Sequence, residues 1–96
     1  MTINKKQNGT ALEIALEGRL DTTTAPELEK ALNLDGVNEL TLDFSGLEYI
    51  SSAGLRVLLS AHKIMSRKGG MKVTHVNEIV NEVFEVTGFS DILTIE

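Results

Sequence analysis

Two adjacent hydroxyls, Ser51 and Ser52, stand where an apolar strand pattern ending at Phe44 and a short loop give way to an apolar helical pattern. The first turn of a helix carries free backbone N–H groups and a partial positive charge. A phosphate placed there gains hydrogen-bond donors and a favourable dipole. Phosphorylation of a serine is one chemistry that suits this junction. A plain helix cap is the other, since Ser is among the best capping residues. Arg56 follows Ser52 at the i, i+4 spacing that brings side chains together. Its guanidinium suits a phosphate, a partner's acid, or water alone. Lys63 and Arg67 continue the same arc, with Ser60 beside them, and read as a solvated stripe.

Asp21 and Asp43 are two carboxylates near the ends of sheet elements. General acid–base work would require them to converge in a cleft, which spacing does not establish. Their ordinary roles are loop capping for Asp21 and a solvent-facing strand position for Asp43. His62 and His75 fall on different elements without the spacing of metal ligands, and His62 borders the apolar side of its helix as a packed residue would. There is no Walker loop, dinucleotide fingerprint or Gly-x-Ser-x-Gly elbow. Neither catalysis nor a cofactor or metal is expected.

The 96 residues suit one small domain spanning 1–96. Apolar residues make up 42% and aromatic residues 4%, so the core must be aliphatic. Base-stacking platforms need more rings than this. A net charge of -5 also argues against nucleic acid, whose binding rests on cations that neutralise phosphates. Without cysteine there is no disulfide or thiolate metal site, which suits a reducing compartment. Residues 1–6 lack the apolar run of a signal peptide, and no apolar stretch is long enough for a bilayer helix. The expectation is a cytoplasmic protein with no membrane insertion.

These residues must be positioned by alternating elements. Residues 2–7 give a weak first strand, Asn8-Gly9 a tight turn, and residues 11–17 a strand with Leu12, Ile14 and Leu16 on one face. An antiparallel hairpin follows. Thr24-Ala25-Pro26-Glu27 opens a first helix with capping-box spacing, and Leu28, Ala31 and Leu32 form its inner stripe. Residues 39–44 alternate again, and a second helix spans about 52–67 before Gly69-Gly70. A strand over 71–76 precedes a third helix capped by Asn77, whose Ile79, Val80, Val83 and Phe84 share a face. Gly88 ends it, and residues 92–95 form a last short strand. The pattern predicts an α/β fold: a mixed, mostly parallel sheet with helices chiefly on one face. Strand 11–17 should run parallel to 39–44.

Asp43-Phe44-Ser45-Gly46-Leu47 followed by Ile50-Ser51-Ser52-Ala53-Gly54-Leu55 resembles the core motif of the STAS family, the sulphate-transporter and anti-sigma-factor-antagonist domains. Gly18-Arg19-Leu20-Asp21 is similar to its early Gly-x-Leu-Asp element, and Val86-Thr87-Gly88-Phe89 to its last helix and turn. The resemblance implies the same compact α/β architecture. It also implies a stand-alone anti-sigma factor antagonist that binds an anti-sigma factor serine kinase, as monomer or heterocomplex, and releases a sigma factor. Phosphorylation of Ser52 would end that capture. The antagonists usually carry Asp before the acceptor and Ser or Thr after it; here Ser51 and Ala53 stand there, and Ser51 is a rival acceptor. The implied partner surface comprises Asp21, Ser51, Ser52, Gly54, Leu55, Arg56 and Leu59. Gly54 is expected to allow close approach of another backbone. Other stand-alone STAS domains are subunits of phospholipid-trafficking ABC transporters, docking on an ATPase without phosphorylation, and this is the alternative role.

Overall fold

The computed structural model describes residues 1–96. In chain order the elements are β1 (Thr2–Asn8), β2 (Ala11–Leu20), α1 (Ala25–Ala31), β3 (Glu39–Ile50), α2 (Ser52–Met65), β4 (Met71–Thr74), α3 (Glu78–Thr87), a single 3-10 turn (Phe89–Asp91) and β5 (Thr94–Ile95). The five strands form one sheet in the order β1-β2-β3-β4-β5. β1 pairs antiparallel with β2, and every later pair is parallel, including β2 with β3 as the alternation predicts. The sheet therefore grows by one strand at a time in one direction. Crossovers of one hand then place α1, α2 and α3 on the same face.

That face carries the core. Leu12, Ile14 and Leu16 of β2, Leu40 and Leu42 of β3, and Val73 of β4 are buried beneath Leu28 of α1, Leu58 and Met65 of α2, and Val80 and Phe84 of α3. Twenty-three buried apolar residues form one cluster, and no polar or charged residue belongs to it. The core is aliphatic except where Phe44 and Phe84 meet with ring centroids 6.4 Å apart. The opposite face of the sheet is polar and open, with Glu13 and Lys72 exposed and Thr41 and Asp43 half-buried.

Four local expectations change. The hairpin turn is Gly9-Thr10, since Asn8 still pairs with Ala11, and Gly9 takes the positive φ of 65° that a two-residue loop requires. The capping box at Thr24 is not formed. Thr24 is already helical, and its hydroxyl bonds to Asp21 N (2.8 Å) and Arg19 O (2.8 Å) instead. The loop expected after Phe44 is strand. β3 has twelve residues against ten in β2, and the register slips twice, between Asp43 and Gly46 and between Leu47 and Tyr49. Each slip is a bulge that inserts one residue, so the buried side chains recur as Phe44, Leu47 and Ile50. Finally, α3 is rotated about its axis. Val80 and Phe84 are fully buried, while Ile79 is 60% and Val86 81% exposed.

Candidate functional site at the end of β3

Leu20 and Ile50 are the last paired residues of β2 and β3, and the Ser51 amide still donates to the Leu20 carbonyl at 2.9 Å. The two chains therefore leave the sheet side by side, one through Asp21 and the other through Ser51. α2 begins immediately. Ser51 is its N-cap, with extended backbone (φ −103°, ψ 176°), and its carbonyl accepts the first helical bond from Leu55 N at 3.0 Å. The Ser51 side chain does not cap the helix. Its Oγ is buried and has no hydrogen-bond partner. The first turn also lacks an acid. Its free N–H groups thus meet no side-chain acceptor, and the local positive potential is not offset.

Ser52 is the first residue of α2 and is exposed. Arg56, one turn on, is also exposed and takes part in neither of the two ion pairs of the molecule, Lys72–Glu96 and His75–Asp43. An anion on the Ser52 hydroxyl would meet unpaired backbone donors in its own turn and an unpaired guanidinium one turn on.

Asp21 is committed to its own loop. Its Oδ1 accepts from Thr23 Oγ1 (2.7 Å), Thr23 N (3.0 Å) and Thr24 N (3.2 Å). The Thr23 hydroxyl is the main cause that holds its carboxyl below the ordinary carboxylate range; burial opposes it, and the backbone amides and the Thr24 hydroxyl add to the lowering. Its carbonyl accepts from Thr24 N and Ala25 N, so Asp21 ends β2 and starts α1. Asp43 does not join the serines. It lies seven residues before Ile50, roughly 20 Å along the strand. It faces the open side of the sheet, accepting from Ser45 N at the first bulge (2.9 Å) and from His75 Nδ1 (3.1 Å). The Ser45 amide is the main cause of its lowered pKa, with His75 a smaller one. Spatial separation thus rules out an acid–base pair of Asp21 with Asp43. No group of three or more His, Asp or Glu comes together.

Two residues assigned to the partner surface face inward. Leu55 is buried in the core. Gly54 is also buried, and a β-carbon there would lie 2.7 Å from Leu20 Cγ and 2.9 Å from Ile50 Cγ1. The close approach at Gly54 is to this protein's own sheet and not to another backbone, so substitution there must strike folding first. Leu59 is half-buried.

Sequence reading missed a groove of about 400 Å³ between α1 and α2. Leu32, Leu34, Val57, Ala61 and Ile64 are among its apolar lining residues, with Arg56, Ser60 and Glu29 among its polar members. The signal that pointed to it was Ile64, an aliphatic residue next to the cationic arc of α2; it is 48% exposed. A second missed feature is Arg19 stacked 4.4 Å from the centre of the Tyr49 ring, one pair before the site.

The family model described as "Mlab, STAS domain" matches residues 3–94. An anti-sigma-B factor antagonist of Listeria monocytogenes is 30% identical over 96% of this chain and 84% of its own length. Among solved structures, an anti-sigma factor antagonist from Mycobacterium paratuberculosis superposes with a TM-score of 0.87 at 23% identity, over 98% of this chain and 83% of that one. The Bacillus cell fate determinant SpoIIAA in its phosphorylated form superposes with a TM-score of 0.74 at 16% identity, over 99% and 91%. These relatives are named as regulators and not as enzymes, and no helix here is long and apolar enough to cross a membrane. With its motifs and its sheet order in agreement, this chain belongs to the STAS-domain family.

Proposed function

We propose that this protein is an anti-sigma factor antagonist that captures an anti-sigma factor kinase while Ser52 is unmodified and releases it once Ser52 is phosphorylated. The observation that carries the reading is the state of the α2 N-terminus: an exposed Ser52, no side-chain cap, no acid in the first turn and an unpaired Arg56. A phosphate on Ser52 would add about -1.5 to -2 charges and be held within this protein, so the fold need not change. The cost falls on the complex, where a partner packed over the helix start must desolvate the phosphate. Ser51 is the poorer acceptor because its hydroxyl is buried. The partner surface is Ser52, Arg56 and Leu59, with Asp21 shaping the adjoining loop and Gly54 and Leu55 supporting it from beneath.

One observation favours a second reading. Ser51 stands where the antagonists carry Asp, which removes an acid that a kinase would read. On that reading the protein is a STAS subunit docked on the ATPase of a phospholipid-trafficking ABC transporter. Affinity capture with the unmodified protein as bait separates the two. Recovery of an ATPase of the histidine-kinase-like fold is expected. Recovery of an ABC ATPase in its place would overturn the antagonist reading.

A further inference from the structure

The α1–α2 groove lies beside a row of cations. At 100° per residue, Arg56 and Lys63 occupy the arc of α2 next to the wall formed by Val57, Ser60 and Ile64, and Arg67 follows in the turn after the helix. All three are exposed, and none belongs to an ion pair. An unpaired cationic row is notable in a chain of net charge -5. The groove itself is apolar at its floor, with Ile64 left 48% exposed at its edge. The α1 side carries Glu29. The groove thus has an apolar floor, a basic edge along α2 and an acidic residue on α1.

We infer that this groove seats an amphipathic helix of the partner, with aliphatic residues at i, i+3 or i+4 and i+7 in the groove and a row of Asp or Glu facing Arg56, Lys63 and Arg67. An aliphatic stripe in a groove is a standard helix-recognition mode, and the opposite charges of the two edges set its direction. α2 is fourteen residues long, about 21 Å, which matches three to four turns of a bound helix. An anionic bilayer offers the same charge, but the net charge of -5 opposes approach to such a surface. The inference rests on the antagonist reading in one respect: the helix belongs to the partner that Ser52 controls. Ser52 lies on the same arc as Arg56, so a phosphate there would place negative charge at the end of the row that the acidic helix needs.

The probe is a synthetic fourteen-residue amphipathic peptide with Leu along one face and Glu along one flank, titrated into the full chain by amide NMR. A matched peptide with Lys in place of Glu is the control. Shifts are expected at Leu32, Val57, Ser60 and Ile64. Affinity should fall about tenfold in the Lys63→Glu/Arg67→Glu double variant, in high salt, and with the Lys peptide. Both substituted positions are exposed, so folding is preserved, and unchanged amide dispersion checks this. Equal binding of the two peptides, shifts confined to another face, or no effect of the double variant would overturn the inference. So would sedimentation with phosphatidylglycerol vesicles, abolished by the same variant, in the absence of peptide binding. Neither the kinase nor modification of Ser52 enters this assay, so failure of the switch and failure of the groove are read separately.

Discussion

A β-carbon at Gly54 would stand inside van der Waals contact with Leu20 Cγ and Ile50 Cγ1, at 2.7 and 2.9 Å. Both neighbours are fully buried, so neither can swing away. Gly54→Ala gains helix propensity of up to about 1 kcal/mol but overpacks the junction by about 1–3 kcal/mol. A net loss of stability is expected, larger for Gly54→Leu, and urea denaturation measures it. Sequence spacing placed Gly54 correctly in the first turn of α2 but could not say whose atoms it would meet. The same holds for the carboxylates. The residues around Asp21 were legible as a loop cap, whereas the distance of Asp43 from the serines depends on the length of a strand that the sequence disguises. Both carboxyls have lowered pKa values, so the folded state releases protons more readily than the unfolded one. Their contribution is present above about pH 4 and is lost as the pH falls through the lowered folded values. Asp43→Asn should therefore show a shallower fall in urea midpoint between about pH 5 and 2 than the unsubstituted protein. Parallel pH profiles would remove Asp43 from the acid response.

At the scale of elements, Asn77 ties α3 to the sheet with two bonds. Its Oδ1 caps Val80 N at 2.8 Å and its Nδ2 donates to the Leu47 carbonyl at 2.8 Å. Asn77→Ala loses both and should cost about 1–2 kcal/mol for the cap and about 1 more for the second bond. Asn77→Ser keeps a cap acceptor and loses only the bond to Leu47, so it should fall between the unsubstituted protein and Asn77→Ala in thermal denaturation. Equal loss in both variants would show that the cap contributes nothing. The cap itself was readable, because Asn before a run with 3.6-residue periodicity is a local signal. β3 was readable only to Phe44. Beyond it the buried residues Phe44, Leu47 and Ile50 recur every three positions, a spacing that matches neither a strand nor a helix until bulges are allowed. Likewise, periodicity gave α3 an apolar face but not its rotation. Phe84 packs against Phe44, and that tertiary contact turns Ile79 outward.

For the molecule as a whole, sequential strand order and crossovers of one hand leave one face of the sheet bare, so α1, α2 and the ends of β2 and β3 share one side. This arrangement brings residues distant in sequence, Asp21 and Ser51, to adjacent exits from the sheet, and it exposes Ser52 one turn before Arg56, which lines the groove. The alternation of elements made the architecture legible in advance; the groove was not, because it exists only where two helices meet. On the proposed reading, a switch built on this frame would act on affinity and not on folding. Ser52→Ala should bind the partner constitutively, and Ser52→Asp should bind poorly, with thermal midpoints close to that of the unsubstituted protein. The most direct measurement is to incubate the protein with the anti-sigma factor kinase that the proposed function requires and ATP, locate the modification by mass spectrometry, and titrate both forms against that kinase. The expected result is phosphate on Ser52 and an affinity at least about a hundredfold weaker, equivalent to about 2.8 kcal/mol. Absence of phosphate on Ser51 and Ser52 with the kinase bound, or equal affinity of the phosphorylated and unmodified forms, would contradict it.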